Sequence, residues 1–508
     1  MLWHSILYYL LPLFFFLFFL LKRIYVFPTN KNHPPSPPKL PIIGNLHQIG
    51  LFPHRSLHLL AQTYGPLMLL RLGRKPTLVV SSSEAAREIM KTHDLIFSNR
   101  PKSTIASKLL YNGSDVAFTP YGEYWRQIKS ICVHQLLSNK MVQSFRDIRE
   151  EETGLVIEKI KKLCFDPLSV INLSDMFALL TNNIVCKVAL GRKYSSEEEE
   201  DRNFKELLGE FEELLGIFDV GDYIPWFRWV NKIRGLYGRA DNVAKEFDEF
   251  LESVLEEHEG REKSGDQKEG TLDFVDVLLE MQKKTTPGFS IQRENIKAII
   301  LDMFVGGTDT TYAVLEWTMT ELLRHPDTLK ELQKEVRGIG KGKQAITEVD
   351  LEEMHYLKAV IKESMRLHPP SPLLIPREST RDVKLMGYDI AAGTQVFTNA
   401  WSIGRDPSMW DEAEEFRPER FLNNSVDFRG HDYQLIPFGA GRRGCPGLQF
   451  AVSVDELALA NLVNNFDFAL ADGARGEDLD MSEISGLTVH KRVPLLVVAS
   501  LATPCTLI

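Results

Sequence analysis

The sequence predicts a mainly α-helical protein with small β-sheets, folded as a single large domain behind an N-terminal membrane anchor. Apolar residues recur at helical spacing over most of the chain, whereas strand-like segments are few and short. No change of composition and no linker divides the chain after Pro41, although its 508 residues exceed the usual size of one domain. An apolar run of membrane-spanning length opens the chain.

The composition is that of a globular protein with an ample core, since 44% of the residues are hydrophobic and 25% are charged. The net charge of −10 argues against general nucleic-acid binding. The cysteines form no Cys-x-x-Cys pair and no paired framework, which fits a reducing compartment and one functional thiol. We expect Cys132, Cys164 and Cys186, which lie in helical patterns, to be small core residues.

The predicted anchor covers residues 2–21, which supply about the 20 apolar residues that a membrane helix needs. Lys22 and Arg23 follow this run, and basic residues remain cytosolic, so the rest of the chain is expected to face the cytosol. The alternative, a cleaved signal peptide, would be shorter and preceded by basic residues. Residues 34–41 are rich in proline and form a stiff spacer. We therefore assign residues 1–22 to the anchor, 23–41 to a hinge and 42–508 to the domain.

The strands are expected in two places after the hinge. Residues 67–72 and 77–80 flank Gly73, Arg74 and Lys75, and this pattern predicts a hairpin. Residues 383–398 supply further strand segments, and most of the remaining chain has helical patterns.

A long helix is predicted between Ser290, a suitable N-cap, and Pro326, a suitable stop. Its centre holds the sequence Gly-Gly-Thr-Asp-Thr-Thr at residues 306–311. Two adjacent glycines weaken a helix by about 1 kcal/mol each, so their presence indicates the close approach of a flat ligand. The threonines can bond back to carbonyls one turn earlier and open the helix to water or dioxygen. The alternative is a kinked core helix with a solvated Asp309.

Glu363 and Arg366 are three residues apart and therefore share one face of a helix whose start is signalled by Thr347 and Asp350. On most helices such a pair is a surface ion pair that contributes little. The segment is followed by Phe-Arg-Pro-Glu-Arg-Phe, which contains Arg420.

The most informative segment is residues 437–447, which places Cys445 in a glycine-rich loop. The glycines let the chain curl tightly under a flat macrocycle. Residues 448–463 form the next predicted helix, so free N–H groups and a positive dipole end would favour the thiolate, a ligand for haem iron. Phe438 can shield the sulfur from water, and Arg443, with its neighbour Arg442, offers donors for a propionate. The alternative is a glycine-rich turn with an incidental buried cysteine.

This loop resembles the haem-binding loop of the cytochrome P-450 monooxygenases. With the proline-rich hinge, the chain is similar to the plant A-type branch, the large plant 71-clan of specialised metabolism. The motifs also occur along the chain in the family's order, and Gly306 stands where the family often has alanine. The resemblance implies the cytochrome P-450 fold, with a haem-thiolate monooxygenase domain, and haem b (iron protoporphyrin IX) as cofactor.

The resemblance also implies roles for single residues. Asp309 and Thr310 would be catalytic, supplying protons for O–O cleavage, and Cys445 would be the metal ligand. The implied cofactor-binding residues are Trp125, Arg126, Arg377, Phe438, Arg443 and Cys445. The implied structural charge network is Glu363, Arg366 and Arg420. The implied substrate-binding residues are Asp302, Val305, Gly306, Ser371, Leu373 and Leu487.

The function that follows is insertion of one oxygen atom from O2 into a small lipophilic plant metabolite, such as a terpenoid, alkaloid or phenolic. Electrons would come from NADPH through cytochrome P-450 reductase, docked on a patch containing Arg126, Lys129, Lys140 and Arg442. The resemblance implies a single-pass protein of the endoplasmic reticulum membrane, in contact with lipid and with its catalytic domain in the cytosol. Two alternatives stay open: a haem-thiolate isomerase or dehydratase that does not activate O2, and a non-catalytic haem sensor.

Overall fold

The structure is a computed structural model that describes residues 11–12, 14–16, 18, 32–166, 169–194, 199–264, 271–284 and 290–502. Most of the predicted anchor and the first part of the hinge lie outside these residues, as does Cys505. Within the described residues, two helical stretches are long and apolar enough to cross a bilayer, Leu173–Leu190 and Arg293–Arg324. Their apolar windows are 78% and 56% buried inside the protein, which is the behaviour of core helices.

Helices make up most of the described chain, as predicted. The α-helices are α1 (Pro53–Tyr64), α2 (Ser83–Arg87), α3 (Thr104–Leu109), α4 (Glu123–Ile131), α5 (Asn139–Ser144), α6 (Arg146–Leu163), α7 (Leu173–Leu190), α8 (Glu199–Gly216), α9 (Val220–Tyr223), α10 (Arg228–Ile233), α11 (Leu236–Ser264), α12 (Phe274–Lys283), α13 (Arg293–Phe304), α14 (Thr310–Arg324), α15 (Pro326–Gly340), α16 (His355–Leu367), α17 (Ala400–Ile403) and α18 (Leu448–Asn465). A large apolar core runs between these helices, and Cys132 and Cys186 lie in it, whereas Cys164 is only partly buried at its edge.

The strands form small sheets at the edge of the helical body. They are β1 (Leu67–Leu72), β2 (Lys75–Val80), β3 (Ile171–Asn172), β4 (Arg377–Glu378), β5 (Val383–Leu385), β6 (Tyr388–Ile390), β7 (Gln395–Thr398), β8 (Phe466–Leu470), β9 (Glu483–Ile484), β10 (His490–Lys491) and β11 (Leu496–Leu501). The predicted hairpin is confirmed, because β1 pairs antiparallel with β2. The sheet orders are β1-β2-β7-β4, β3-β11-β8, β5-β6 and β9-β10.

The predicted long helix exists, but it is built in three parts. α13 and α14 are joined by a single wide turn of π-helix at Val305–Asp309. Such turns are rare and often lie at functional sites. The N-cap is Gln292, in a capping box with Asn295, and not Ser290 as the sequence suggested. Pro326 ends the helix as expected, because it begins α15 at the first helical position.

The helix that carries Glu363 and Arg366 starts later than predicted. Thr347 and Asp350 do bond to each other, with Thr347 N donating to Asp350 Oδ2 at 3.0 Å. They stabilise the entry to a short 3-10 turn, Asp350–Glu353, and α16 begins only after it. A polar cap marks a turn entry equally well whether a 3-10 turn or an α-helix follows.

Candidate active site

The cysteine loop and the long helix face each other across a cavity of about 260 Å³. Its walls come from α4, α13, α14 and α18, from residues 370–377 and from the loop at residues 437–447. Cys445 and Thr310 both line it, although 135 residues separate them in the chain. The cavity therefore joins the two segments that the sequence singled out.

The loop holds Cys445 by backbone contacts. The Cys445 N–H donates to the carbonyl of Phe438 at 3.0 Å, which closes the loop on itself. Gly441 has a φ of 68°, and a Cβ there would lie 2.2 Å from the Met90 carbonyl oxygen, so no other residue fits. The Cys445 side chain is exposed, and the surface it faces is the cavity, because it lies in the cavity wall. Its sulfur is thus presented to whatever binds inside.

Two opposing effects act on the Cys445 thiol. Burial raises its pKa above the ordinary value, while the N–H groups of Gly447 and Leu448 and the charge of Lys129 work in the other direction. The helix-end donors predicted from the sequence are therefore present, but burial outweighs them. The thiolate form requires a bound cation, because a metal ion deprotonates a coordinating thiol.

α4 presents Trp125 and Lys129 to the cavity. The Trp125 indole donates to the Val116 carbonyl at 3.1 Å, and Lys129 Nζ donates to the Gly444 carbonyl, beside the cysteine, at 2.7 Å. Arg126, the predicted cofactor-binding residue, is exposed and does not line the cavity. Residues four apart share a helix face, and that spacing leads from Trp125 to Lys129, which does line the cavity.

Three buried arginines, Arg100, Arg377 and Arg443, converge on the cavity wall. Burial and then the charges of Arg443 and Arg377 lower the pKa of Arg100 well below its usual range, and burial and Arg377 lower the pKa of Arg443 to about 9. Asp94, 3.3 Å from Arg377, is the nearest carboxylate partner of that residue in the described chain. Guanidiniums crowded in this way form a site for a ligand with carboxylate groups.

Arg443 is also a structural residue. Its guanidinium donates to the carbonyls of Ser98 at 2.7 Å, Val116 at 3.2 Å and Thr119 at 2.6 Å. It stacks over the Trp125 ring at 4.1 Å from the centroid. The cysteine loop is thereby tied to the segment that precedes α4.

The wide turn of the long helix forms the opposite wall. The Thr310 hydroxyl donates to the Gly306 carbonyl at 2.7 Å, as predicted. The Thr311 hydroxyl is buried and has no partner in the described residues, so the second predicted back-bond does not form. Asp309 turns away to His490, with Oδ1 2.7 Å from Nε2. A Cβ at Gly307 would lie 3.0 Å from Val185, so a glycine lets the turn pack tightly on α7.

Of the predicted substrate-binding residues, Asp302, Gly306 and Ser371 line the cavity. Val305 packs against the main core and Leu373 against a smaller apolar cluster near β1, and neither lines it. Leu487 also lies outside the lining, but its carbonyl accepts a bond from Ser371 Oγ at 3.5 Å. The lining residues of the long helix recur every four positions, from Asp302 through Gly306 to Thr310, and Val305 is not on that face. Lining residues that the sequence analysis did not single out are Val185, Val188 and Phe274.

Glu363, Arg366 and Arg420 form a buried network, in the arrangement that the resemblance implied. Glu363 accepts two bonds from Arg366, at 2.7 and 2.8 Å, and one from Arg420 at 3.0 Å. Glu363 also accepts a hydrogen bond from the backbone N–H of Arg417 at 2.7 Å. Arg366 donates further to the carbonyls of Gly404, Ala413 and Glu415. The network ties α16 to the irregular chain that leads to the cysteine loop.

Comparison with known proteins decides the family, because the family model named Cytochrome P450 matches residues 34–497. The chain belongs to the cytochrome P450 family. It is an oxidoreductase of the monooxygenase type, and its fold is the P450 fold. Haem b is the cofactor, and O2, a redox partner and small substrates belong to its reaction.

The relatives of this P450 are plant proteins. It is 62% identical to Cytochrome P450 736A117 of Prunus mume over 476 residues, covering 93% of this chain and 91% of that one. It is 56% identical to Norfluorocurarine oxidase of Strychnos sp over 496 residues, covering 96% of both chains. It is also 56% identical to Cytochrome P450 71A6 of Nepeta racemosa, covering 95% of this chain and 96% of that one. The predicted plant A-type branch is confirmed.

Solved structures agree with this assignment. A zebra fish cytochrome P450 with progesterone superimposes with a TM-score of 0.76 at 26% identity, over 89% of this P450 and 100% of that chain. The same search gives a zebra fish cytochrome P450 with abiraterone at a TM-score of 0.74 and 25% identity, with the same coverage.

The cavity of this P450 fits haem b by two observations. First, the Cys445 sulfur faces the cavity from a tight loop, in which a Cβ at position 441 would clash with the backbone. Second, the crowded, buried guanidinium groups in the cavity wall can bind carboxylates. A haem-thiolate cofactor needs a cysteine ligand and partners for its two propionates. The chain supplies both in one cavity.

Proposed function

We propose that this P450 inserts one oxygen atom from O2 into a small lipophilic plant metabolite, with electrons from NADPH through cytochrome P450 reductase. The observation that carries the proposal is that Cys445 and Thr310 line one cavity whose remaining wall is largely apolar. Apolar walls with few polar groups suit terpenoids, alkaloids or phenolics. A relative at 56% identity bears the name Norfluorocurarine oxidase, which places an alkaloid among the first compounds to test.

When bound, haem b would supply dioxygen activation, and Cys445 Sγ would be the thiolate ligand of its iron. Lys129, Arg377 and Arg443 would hold the cofactor's carboxylate edge. Trp125 and Phe438 would pack against it and keep water from the sulfur. None of these groups needs to move, because the loop is fixed by its own backbone bonds.

The opposite wall would handle protons. The Thr310 hydroxyl can hold a proton at Oγ1 while its bond to the Gly306 carbonyl keeps the wide turn open. Asp309 would deliver protons to that hydroxyl from its ion pair with His490. Gly306 leaves open space where a Cβ would otherwise project. An isomerase or dehydratase that does not use O2 has no need for this acid and alcohol pair.

Asp302 would limit the substrate from α13. It is partly exposed to the cavity but removed from bulk water, and this burial and then the charge of Asp115 raise its pKa well above the usual range. One of its oxygens accepts the Val116 N–H at 2.5 Å. Met303, Leu374 and Ser371 would complete the substrate wall.

We propose the topology predicted from the sequence, with residues 1–22 in the endoplasmic reticulum membrane as a single-pass anchor, 23–41 as hinge and 42–508 in the cytosol. The described end of the hinge supports it, since Leu69 N donates to the Pro35 carbonyl at 2.9 Å along β1. The β1–β2 turn bonds in turn to Tyr223 of α9 through Arg74 N at 2.9 Å. Beyond α9, Trp226 and Trp229 are each 58% exposed, and tryptophan is enriched at membrane interfaces.

Reductase docking would use exposed basic residues on the cysteine side. Arg126 and Lys140 are exposed, and Arg442 is exposed beside Asp94. Lys129 leaves the predicted patch, because its amino group is committed to the Gly444 carbonyl. Exchanging Arg126 and Lys140 for glutamate should slow reductase-supported turnover and spare peroxide-driven turnover, whereas Lys245→Glu, on α11, should change neither. Equal loss in both assays would reject the patch.

The test of the function is turnover in microsomes that carry the chain and a plant reductase. The probes are norfluorocurarine, the terpene alcohol geraniol and the phenol eugenol, each with NADPH and labelled O2. We expect at least one product that has gained one labelled oxygen atom, with NADPH consumed only in the presence of reductase. A product formed without NADPH or O2 would instead identify an isomerase or dehydratase. If the chain binds haem but no compound in a wider metabolite extract stimulates NADPH consumption, the protein is a sensor.

A further inference from the structure

His490 is brought to the long helix from a distant part of the chain. It lies in β10, 181 residues after Asp309, and its Nε2 is 2.7 Å from Asp309 Oδ1. Its ring stacks on that of Tyr312, with centroids 4.8 Å apart and planes at 19°. The ring is therefore held in place by one contact on its edge and one on its face.

The backbone on both sides of His490 is pinned to α14. The Trp317 indole donates to the Val489 carbonyl at 3.1 Å, and Lys491 N donates to Glu316 Oε2 at 3.2 Å. Glu316 also accepts from the Tyr312 hydroxyl at 3.1 Å. These bonds fix β10 along the first turns of α14. The imidazole thus keeps its position relative to Asp309 and Thr310, both of which sit at the start of that helix.

The charges around His490 come from three elements. Asp309 and Glu316 face it from the long helix, Lys491 follows it in β10, and Glu212 faces Asp309 from α8. Burial lowers the pKa of His490, but Asp309 and then Glu316 outweigh it, and the pKa is raised above 6.5. Burial and then the charge of Asp309 raise the pKa of Glu212 well above its usual range. Contact with Asp309 therefore favours the protonated form of His490, whereas burial beside Asp309 favours the neutral form of Glu212.

Polar atoms without partners gather at this point. His490 Nδ1, Glu212 Oε1 and the Thr308 hydroxyl are buried and have no hydrogen-bond partner among the described residues. The side chains of Asp309 and His490 nevertheless remain 18% and 17% exposed. Buried polar groups of this kind are normally satisfied by ordered water. A protonated imidazole between a water site and a carboxylate has the geometry of a proton shuttle.

We propose that His490 is the positioning and proton-supplying residue for Asp309 in oxygen activation. The proton on Nε2 passes to Asp309 Oδ1, which leaves His490 neutral with its other proton on Nδ1. Asp309 passes one proton onward toward the Thr310 hydroxyl, and the vacated Nε2 of His490 takes a replacement proton from water, to which the pair is partly exposed. No electrons move in these steps, so each transfer breaks one N–H or O–H bond and forms another. The proposal rests on the function proposed above for Asp309 and Thr310.

The first test measures the pair itself and needs no turnover. Wild type and His490→Gln are melted at about pH 6 and about pH 8.5, alone and combined with Asp309→Asn. A raised folded-state pKa contributes stability below the unfolded value of about 6.5, and this stability is lost as the pH rises through the raised pKa. We expect the difference in Tm between wild type and His490→Gln to be larger at the lower pH, and its change with pH to be smaller in the Asp309→Asn background. A difference independent of pH, or one whose change with pH is the same without Asp309, would overturn the proposal.

The second test follows protons in the full-length holoprotein with reductase, NADPH and O2 as the only oxidant. The readouts are the fraction of consumed O2 released as hydrogen peroxide, its pH profile, and the effect of D2O. We expect His490→Gln to slow water formation about tenfold, less than the roughly hundredfold or larger loss for a general acid in direct contact, because His490 acts through Asp309. We also expect it to release more peroxide, to abolish the pH dependence of this partition and to retain the carbon-monoxide spectrum of wild type.

The matched control is His258→Gln, which removes a second buried imidazole paired with a carboxylate. His258 Nε2 lies 3.2 Å from Asp273 Oδ2, between α11 and α12 and outside the cavity wall. We expect the His258→Gln variant to release the same fraction of consumed O2 as hydrogen peroxide as wild type does. If His490→Gln also matches wild type in partition and pH profile, the proposal fails while the monooxygenase assignment stands. If wild type itself lacks the thiolate spectrum or consumes no O2, the assignment fails, and the melting test still decides the coupling.

Discussion

The two walls of the cavity differ in how their polar groups are satisfied. On the cysteine side, Arg443 donates to three carbonyls, Lys129 to a fourth, and the Cys445 N–H to Phe438. On the long-helix side, the Thr311 hydroxyl belongs to the cavity wall and is buried without a partner among the described residues. A fully bonded wall is rigid and holds a ligand in place, whereas a wall with free polar atoms can bind water and move protons. The difference assigns holding to one wall and proton transfer to the other.

The largest expected effect is the loss of the ligand from the holding wall. Cys445→Ser should abolish the red-shifted Soret band of the carbon-monoxide adduct and all NADPH-dependent turnover, because a serine hydroxyl does not supply thiolate electron density. The measurement is a reduced carbon-monoxide difference spectrum of the purified protein. Cys164→Ser, at the edge of the core, should keep the band. A red-shifted band in Cys445→Ser would contradict the thiolate assignment.

The next effect concerns the network that supports the same wall. Glu363→Gln leaves the buried charges of Arg366 and Arg420 without their carboxylate, and stranding a buried charge costs about 3–5 kcal/mol. Urea unfolding should show this loss together with reduced haem content. Glu331→Gln, which breaks an exposed ion pair with Lys334, should cost about 1 kcal/mol or less. Equal losses in the free energy of unfolding for both variants would show that the network does not stabilise the cysteine side of the cavity.

A smaller effect separates the two basic residues of α4. Lys129→Met removes the donor to the Gly444 carbonyl, and a charged hydrogen bond contributes about 1.5–3 kcal/mol. This free energy corresponds to a factor of about ten to a hundred, so we expect haem to transfer to apomyoglobin that much faster from Lys129→Met than from wild type. Arg126→Met should transfer haem at the wild-type rate, since Arg126 lies outside the cavity wall. If Arg126→Met loses haem faster than Lys129→Met, Arg126 holds the cofactor, as the sequence predicted.

The smallest effect tests an exception on the holding side. Asp455, in α18, has both carboxylate oxygens buried without partners in the described chain, and burial, and then Glu456, raise its pKa well above the usual range. Asp455→Val should therefore raise the free energy of unfolding by about 1–3 kcal/mol, the cost of an unsatisfied buried polar group. Asp455→Asn, which keeps a polar group there, should gain less. A loss of stability in Asp455→Val would show that the carboxyl has a partner within the holoprotein.

Local sequence patterns predicted the local features of both walls. The glycines and cysteine of the loop, the back-bond from Thr310 and the hairpin all depend on neighbours within a few residues, and the structure has them. Predictions that depended on rotation about a helix axis were less secure. Arg126 and Val305 do not line the cavity, because the four-residue spacing leads from Trp125 to Lys129 and from Asp302 to Gly306.

Contacts across the chain could not be read from the sequence. His490 reaches Asp309 only because Trp317 and Glu316 dock β10 on α14, and no local pattern near His490 indicates this. Glu212 likewise faces Asp309 only through the packing of α8. The end of that helix lies against the segment before β10, where a Cβ on Gly216 would be 2.8 Å from Leu487 N. The local features of both walls were thus predictable, whereas His490 and Glu212, which reach the long helix from other parts of the chain, were not.

Because Arg100, Arg377 and Arg443 are crowded together, we expect the lifetime of this polypeptide in the cell to depend on the supply of haem. Without propionates the three like charges repel one another inside the fold, and a ligand that binds only the folded chain shifts the folding equilibrium by mass action. Newly synthesised chains would therefore persist in proportion to the haem available to them. Starving cells of haem precursors should shorten the half-life of the protein without any change in its messenger RNA.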